Sequence, residues 1–277
     1  MINIKAIINQ NKDLLEINKR LNEHHFKLYL VGGALRDLLI NDKKIITDWD
    51  FGVDATPQEL IDIFKDYQLD YYQEALGSIK IHLHNQIYEL TSLRKEEGVK
   101  NLRYPTSLFF VKDPLIDSYR RDFTVNALYY DLKDDVILDY HQGIIDLNNH
   151  YLRFIGDVKK RIIEDPIRIV RAFRFSMMLG FKIIDLDIII KELERVIQLG
   201  IIKYQELYKI LKIKSIIDIK EYLDYFLIMY PELPIKDFID NYNMEEKYLS
   251  YLYLNKKEIF NNLIIDKETR KRIKKNN

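Results

Sequence analysis

Asp48 and Asp50 stand two residues apart in DWDFGVD, and on an extended strand that spacing puts both side chains on one face. Their backbones would lie roughly 6.6–6.8 Å apart. Two carboxylates on one face repel unless a cation neutralises them, and hard oxygen ligands suit Mg²⁺ when phosphate oxygens complete its shell. Paired ions about 3.5–4 Å apart are the usual apparatus for in-line displacement at phosphorus. Upstream, Gly32 and Gly33 permit backbone angles and a close approach that a Cβ would forbid, so N–H groups at a helix start can meet an anion. Arg36, one helical turn on, adds a fork of donors matched to phosphate oxygens. These groups together describe a site for a metal-bound triphosphate.

Positioning them requires a strand before the glycines, a short helix carrying Arg36 and Asp37, and a second strand bearing the aspartates. Leu28–Asp54 reads that way: an apolar run, a break, a helical segment and a return. Residues 1–24 have apolar positions at mainly helical spacing, predicting one amphipathic helix ahead of the first strand. Thr56-Pro57 opens another helix running to about Tyr67, with Thr56 as cap and Pro57 at the first helical position. Strands are expected over Ser78–His84 and Tyr88–Leu93. His82 and His84 would share a face of the former, as a solvated surface rather than a metal pair.

Arg94–Arg120 is expected to be a polar loop, and FTVNALYY an apolar helix that holds Arg120, Arg121 and Asp122 in place. Short strands follow over Asp134–Tyr140 and Tyr151–Ile155, around a turn at His141-Gln142-Gly143. Asp165-Pro166 predicts a helix start with Asp165 as the cap. On that helix Arg168, Arg171 and Arg174 recur every three residues and cover one flank, while Ile167, Val170 and Phe173 cover another. Beyond Gly180 the chain reads as entirely helical, with breaks at Gly200, near Ser215 and at Pro231 and Pro234.

At 277 residues, 47% hydrophobic and 31% charged, the chain can build more than one packed unit and is globular in composition. It has no cysteine, which excludes disulfides and thiolate metal sites. Nothing resembles a signal peptide or an 18-residue apolar run, and a soluble intracellular protein with no membrane partner is expected. The 43 basic and 43 acidic residues balance, against a polyelectrolyte-type binder. Their distribution is uneven: Tyr151–Gly180 holds seven Lys/Arg to three Asp/Glu, Asn255–Asn277 eight to three, and Ser215–Ser250 three to eight. Basic patches around an acidic one suit a nucleic acid gripped along a limited face.

The succession strand–GG–helix–strand–DxD resembles the polymerase β-type nucleotidyltransferase superfamily. LVGGALRD with DWDFGVDATP looks more narrowly like the class II tRNA nucleotidyltransferase and bacterial poly(A) polymerase family, and RRDFTVNAL and EDPIRIVRAFRF match further motifs of that family in order. The likeness runs from about residue 25 to about residue 235. It implies an α+β fold. An N-terminal head (1–156) would carry a mixed or antiparallel sheet of five-stranded type, followed by an all-helical neck (157–212) and a short helical body (213–277), the tail domain being largely absent.

For the site, the resemblance implies that Asp48 and Asp50 bind two Mg²⁺, with Glu89 as a third acidic residue and metal ligand or support. Gly32, Gly33, Arg36, Arg120, Arg121, Asp122 and Asn126 would form the nucleotide site. Asp165 and Arg168 would read the Watson–Crick edge of the incoming base, and Arg171 and Arg174 would hold phosphates or brace that pair; a carboxylate accepts from the amino group of C or A, and a guanidinium donates to ring acceptors. The expected reaction is template-independent addition of CMP and AMP, from CTP and ATP, to the 3′ end of tRNA at its acceptor stem. The setting would be the cytoplasm of a bacterium or the matrix of an organelle. Poly(A) synthesis, A-only addition and a non-catalytic tRNA-binding role are the alternatives. The loop at 94–120 has an unshortened length, favouring full CCA or terminal-A addition over CC addition. The basic end KETRKRIKKNN would be a frayed terminus or a substitute for tRNA contacts.

Overall fold

Two helices, α1 (Ile4–Asn9) and α2 (Lys12–Glu23), lead into strand β1 (Leu28–Val31), four successive residues that are all buried. The expected single N-terminal helix is two because the Asn11 side chain accepts from the Asp13 and Leu14 N–H groups and restarts the helix there. This computed structural model describes residues 3–276 apart from 42–45, 47–48, 74–75, 85, 103, 213–215 and 240–243.

The chain forms two compact units. One comprises Met1–Lys100, Tyr104–Asn149 and Arg153–Gly156; the other comprises Asn101–Arg103, His150–Leu152 and Asp157–Asn277. The first is built on a mixed sheet. After β1 come helix α3 (Gly32–Ile40), strand β2 (Asp50–Val53), helix α4 (Pro57–Ile63) and strands β3 (Gln68–Gln73), β4 (Ser78–Leu83) and β5 (Gln86–Ser92). Thr56 and Glu59 close a reciprocal capping box at the start of α4, with Pro57 in its first turn, as the local sequence predicts. A separate hairpin of β6 (Arg94–Glu97) and β7 (Ser107–Phe110) and a short helix α5 (Pro114–Ser118) follow. Strands β8 (Leu128–Asp131) and β9 (Val136–Asp139) and helix α6 (Gly143–Asn148) complete the unit.

The order across the sheet is β3-β4-β5-β2-β1-β8-β9, seven strands rather than the five-stranded type expected, and among these neighbours only β2 and β5 run parallel. Tyr29, Val31, Leu93 and Tyr129 form a buried cluster beside the chemically interesting end of β1. Two further stretches of this unit differ from the sequence expectation. The segment Arg94–Arg120 is a paired hairpin and a helical turn, not an open loop. FTVNALYY is a 3-10 turn (Thr124–Asn126) and then strand β8, not a helix. All four β8 residues are buried, so the run shows no alternation, and it is pairing with β1 on one side and β9 on the other that makes it a strand.

The second unit is mostly helical: α7 (Val158–Glu164), α8 (Ile167–Leu179), α9 (Leu186–Ile190), α10 (Ile201–Leu211), α11 (Ile216–Glu221), α12 (Leu223–Met229), α13 (Ile235–Ile239), α14 (Met244–Asn255), α15 (Lys257–Asn262) and α16 (Lys267–Asn276). It also contains a two-stranded parallel pair, β10 (Tyr151–Leu152) with β11 (Lys182–Ile183), so the region past Gly180 is not entirely helical. Gly180 adopts φ +68° at the end of α8, and its N–H and that of Phe181 both return to the Ser176 carbonyl. Phe173 packs against Tyr222, Tyr225 and Phe226 in the core of this unit.

The basic end is not frayed. Thr269 and Ile273 are buried, Asp266 accepts from the Thr269 N–H, and Arg270 donates to the carbonyls of Phe260, Asn261 and Leu263. Lys267, Lys271, Arg272, Lys274 and Lys275 are exposed. Among the described residues no helix is long and apolar enough to cross a membrane.

Ile273 is 0% exposed, so Ile273→Ala should lower the stability of the helical unit by about 2–4 kcal/mol in chemical denaturation followed by circular dichroism. An unchanged midpoint would return α16 to the status of a frayed end.

Candidate functional site

Gly32 sits where β1 stops and α3 begins, at φ +64°, a conformation in the left-handed region that side chains with a Cβ resist. A Cβ there would lie 3.5 Å from Asp50 Oδ2 and 3.7 Å from Arg121 Nη1. The turn, one carboxylate and one guanidinium therefore surround the same small volume. β1 pairs antiparallel with β2 on one side and with β8 on the other, so the start of β2 with Asp50 and the start of β8 lie beside the end of β1. Gly33 is the next residue of α3, and a Cβ on it would lie 3.6 Å from Arg36 Nη2.

Asp48 lies outside the described residues, so its convergence with Asp50 is not described. Asp50 is the first residue of β2 and half-buried, and its register partner on the parallel neighbour β5 is Glu89. The structure thus brings Glu89 to Asp50 across two strands, although the residues are far apart in sequence. Glu89 is also paired across β4 with Lys80, whose ammonium is 3.6 Å from its carboxylate. Among the described residues no group of three His, Asp or Glu is gathered to hold a metal. Asp50 nevertheless presents a hard carboxylate oxygen beside a Cβ-free turn and a cation, a donor set suited to Mg²⁺ carried with phosphates. His82 and His84 are not a strand-face pair: β4 stops at Leu83, and His84, at φ +50°, meets Asp13 through Nδ1 at 2.9 Å.

Arg36 is directed inward. It is 3% exposed, donates to Asn126 Oδ1 at 2.6 Å and pairs with Asp37. Asn126 in turn donates to Asp122 Oδ1, which also accepts the Phe123 N–H. Arg36, Asn126 and Asp122 therefore form one buried chain that ties α3 to the 3-10 turn. Thr124 fastens that turn from its other side by donating to Asp146, a buried carboxylate on α6 that also meets Arg153.

Arg120 and Arg121 are held by a residue outside the sequence motifs, Asp117. Its carboxylate is 0% exposed and accepts from the Arg94 N–H (2.9 Å), Arg120 Nε (2.8 Å) and the Tyr129 hydroxyl (2.6 Å), with Arg121 Nη2 at 3.3 Å. Burial alone would raise its pKa; the two guanidiniums and these hydrogen bonds outweigh that and hold it well below the ordinary carboxylate range. Arg121 also donates through Nε to Tyr129 Oη at 2.7 Å, with its guanidinium 4.9 Å from that ring centroid. Tyr129 itself titrates well above an ordinary tyrosine, first because it is buried and then because Asp117 lies beside it. The only sequence hint of Asp117 is an aspartate four residues before Arg121, the spacing of a helical ion pair.

In the helical unit, Asp165 does not cap α8. The cap position is held by Pro166 without a side-chain hydrogen bond, while Asp165 ends α7 and offers its carbonyl to the Arg168 N–H. Pro166 itself has helical angles, φ −62° and ψ −16°, and its carbonyl accepts from the Ile169 N–H. Arg168 is 9% exposed and donates to the Arg161 carbonyl at 2.7 Å, with Glu164 at 3.3 Å. Arg171 lies 5.5 Å from the Phe175 ring centroid and Arg174 4.3 Å from it. Arg174 also pairs at 2.9 Å with Glu206 of α10, another buried carboxylate outside the sequence motifs; burial would raise the pKa of Glu206, but Arg174 and Lys209 bring it below the usual value.

Residues 28–153 match the family described as the poly A polymerase head domain. A CCA-adding enzyme of Staphylococcus haemolyticus is 38% identical over 177 residues, covering 64% of this chain and 42% of that protein. One of Enterococcus faecalis is 36% identical over 183 residues, 65% of this chain and 43% of that protein. The chain thus spans less than half the length of these curated relatives. The crystal structure of the Bacillus stearothermophilus CCA-adding enzyme in complex with CTP superposes with a TM-score of 0.71 at 23% identity, over 94% of this chain and 64% of that one. An apo form of a CCA-adding enzyme gives 0.71 at 22% identity, over 95% and 67%. Both likenesses concern the fold.

The depressed pKa of Asp117 has a thermodynamic sign. A carboxyl whose folded pKa lies below its unfolded value contributes stability above the ordinary carboxylate range and loses it as pH falls toward the folded value. The unfolding free energy of the wild type should fall more steeply below about pH 4 than that of Asp117→Asn. Denaturation midpoints at pH 7, 4 and 3 measure this; parallel curves would show that Asp117 does not set the acid sensitivity of the fold.

Proposed function

We propose that this chain belongs to the class II tRNA nucleotidyltransferase and bacterial poly(A) polymerase family, which its head-domain match and its relatives support, and that it adds CMP and AMP to the 3′ end of tRNA from CTP and ATP, releasing pyrophosphate. The observation that carries this reading is the convergence of the Asp50 carboxylate and the Arg121 guanidinium on the Gly32 turn. A negative metal-binding group and a positive phosphate-binding group beside a Cβ-free backbone suit a metal-bound triphosphate, and relatives named CCA-adding enzymes supply the reaction. In the transfer, the terminal 3′-hydroxyl oxygen bonds to the α-phosphorus, the bridging bond to the β-phosphate breaks, and the hydroxyl proton is lost.

Two Mg²⁺ ions held by Asp48 and Asp50, with Glu89 in support, would lower the hydroxyl pKa and stabilise the departing pyrophosphate. Gly32, Gly33 and Arg121 face the phosphates in this reading, and Arg120 flanks them. The inward direction of Arg36 supports a bracing role through Asn126 and Asp122 rather than a direct phosphate contact. Asp165 and Arg168 select the base, as the resemblance implies, with Arg171 and Arg174 supporting them. We assign 1–156 as the head, 157–212 as the neck and 213–277 as the body, and a compact unit ending at Gly156 supports the first boundary. The partners are tRNA at its acceptor end and the two triphosphates, and the setting is the cytoplasm or an organellar matrix.

Incubating the protein with tRNA lacking its terminal CCA, each labelled nucleoside triphosphate in turn, and reading product length separates this activity from poly(A) synthesis, A-only addition and binding without turnover. Asp50→Asn should reduce incorporation of both CMP and AMP by at least about a hundredfold while tRNA binding persists, since the loss falls on transition-state stabilisation. Near-normal turnover would refute the metal role. Arg168→Ala should let UTP and GTP compete, narrowing discrimination by about tenfold or more. Unchanged selection with weakened Mg²⁺ dependence would give that arginine a different task.

A further inference from the structure

The Asp117 carboxylate divides its work between two oxygens. Oδ1 accepts the Arg94 N–H at the root of the β6–β7 hairpin and Arg120 Nε, contacts that hold the fold together. Oδ2 accepts the Tyr129 hydroxyl and lies 3.3 Å from Arg121 Nη2. Tyr129 Oη receives Arg121 Nε at 2.7 Å, so carboxylate, phenol and guanidinium close a three-membered ring of polar contacts. Tyr129 is opposite Val31 in the β1–β8 register, one residue before Gly32. The remaining terminal nitrogen, Nη1, is the one that lies 3.7 Å from the position a Gly32 Cβ would take, and it is 3.5 Å from the Asn126 carbonyl.

A flexible arginine loses rotamer entropy whenever it binds an anion, and one locked on two sides has lost it already. We propose that Asp117 is a positioning residue that acts with Tyr129. Together they lock the Nε and Nη2 edge of Arg121, aiming Nη1 over the Gly32 turn as a preset donor for the phosphates of a nucleoside triphosphate. This rests on the nucleotidyl-transfer reading above, and it assigns Asp117 no contact with substrate. Neutralising a cation in this way costs some attraction for phosphate; orientation is what it returns, and a fixed guanidinium fork is the form of donor that recognises phosphate geometry.

A merely structural ion pair and a positioning one differ in what they couple to. Trp49 is the sole tryptophan, adjoins Asp50 and stacks on Phe51 with centroids 6.2 Å apart, so its fluorescence can follow binding. Wild type, Asp117→Asn, Arg121→Gln and the double variant are titrated with CTP and with cytidine in Mg²⁺ at pH 7. Tyr129→Phe, which removes one hydroxyl, is titrated alone and on Arg121→Gln as the milder parallel should Asp117→Asn not fold. The expected result is a loss of about tenfold in CTP affinity for Asp117→Asn and for Tyr129→Phe, less than about twofold for cytidine, and no further loss for either on Arg121→Gln. Equal losses for CTP and cytidine, additive losses with Arg121→Gln, or undiminished CTP affinity would each overturn the positioning role while leaving nucleotidyl transfer intact. A wild type that binds no triphosphate overturns both.

Discussion

Antiparallel pairing on both sides of β1 is the constraint on which the candidate site depends. A strand hydrogen-bonded to two antiparallel neighbours must finish where both of them begin. The end of β1 delivers Gly32, the start of β2 delivers Asp50, and the start of β8 delivers Tyr129. None of the three could shift register by one residue without exchanging its buried and site-facing side chains. The left-handed turn at Gly32 then lets the chain leave the sheet without a side chain filling the space between carboxylate and guanidinium.

Buried charge reinforces the same end of the sheet. Asp117 and Asp146 are both nearly inaccessible, and each carries cationic and hydroxyl partners that offset the cost of taking a carboxylate out of water. Asp117 joins the hairpin root to the arginines, and Asp146 joins α6 to the 3-10 turn. In the helical unit Glu206 does similar work between α10 and Arg174 of α8. Each anchor ties a segment bearing candidate substrate-facing groups to another element, so that these groups reside on stiff supports.

The features legible in the sequence were those whose physics is local. A glycine pair after an apolar run, Thr-Pro before a helix and a three-residue arginine spacing all express themselves within one or two turns of chain, and the α3 start, the α4 capping box and α8 follow from them. The features that escaped depend on partners distant in the chain. Asp117 takes its meaning from Arg94 and Tyr129, and Glu206 from Arg174, which no spacing advertises. FTVNALYY misleads because a strand covered on both faces loses its alternation, and the hairpin at 94–110 because RKEE is wholly charged and the apolar residues of SLFF are consecutive rather than alternating. Asp165 showed the limit of a local rule: aspartate before proline reads as a cap, yet Pro166 takes that position itself.

Arg270 gives the last helix an unusual division of labour. By donating to three carbonyls around the end of α15, it anchors α16 from within, together with Ile273 and the Asp266 cap. The cations on the outer surface are thereby relieved of any duty in attachment. A change in their number or sign would alter how this flank repels or attracts other macromolecules while the helix keeps its seat.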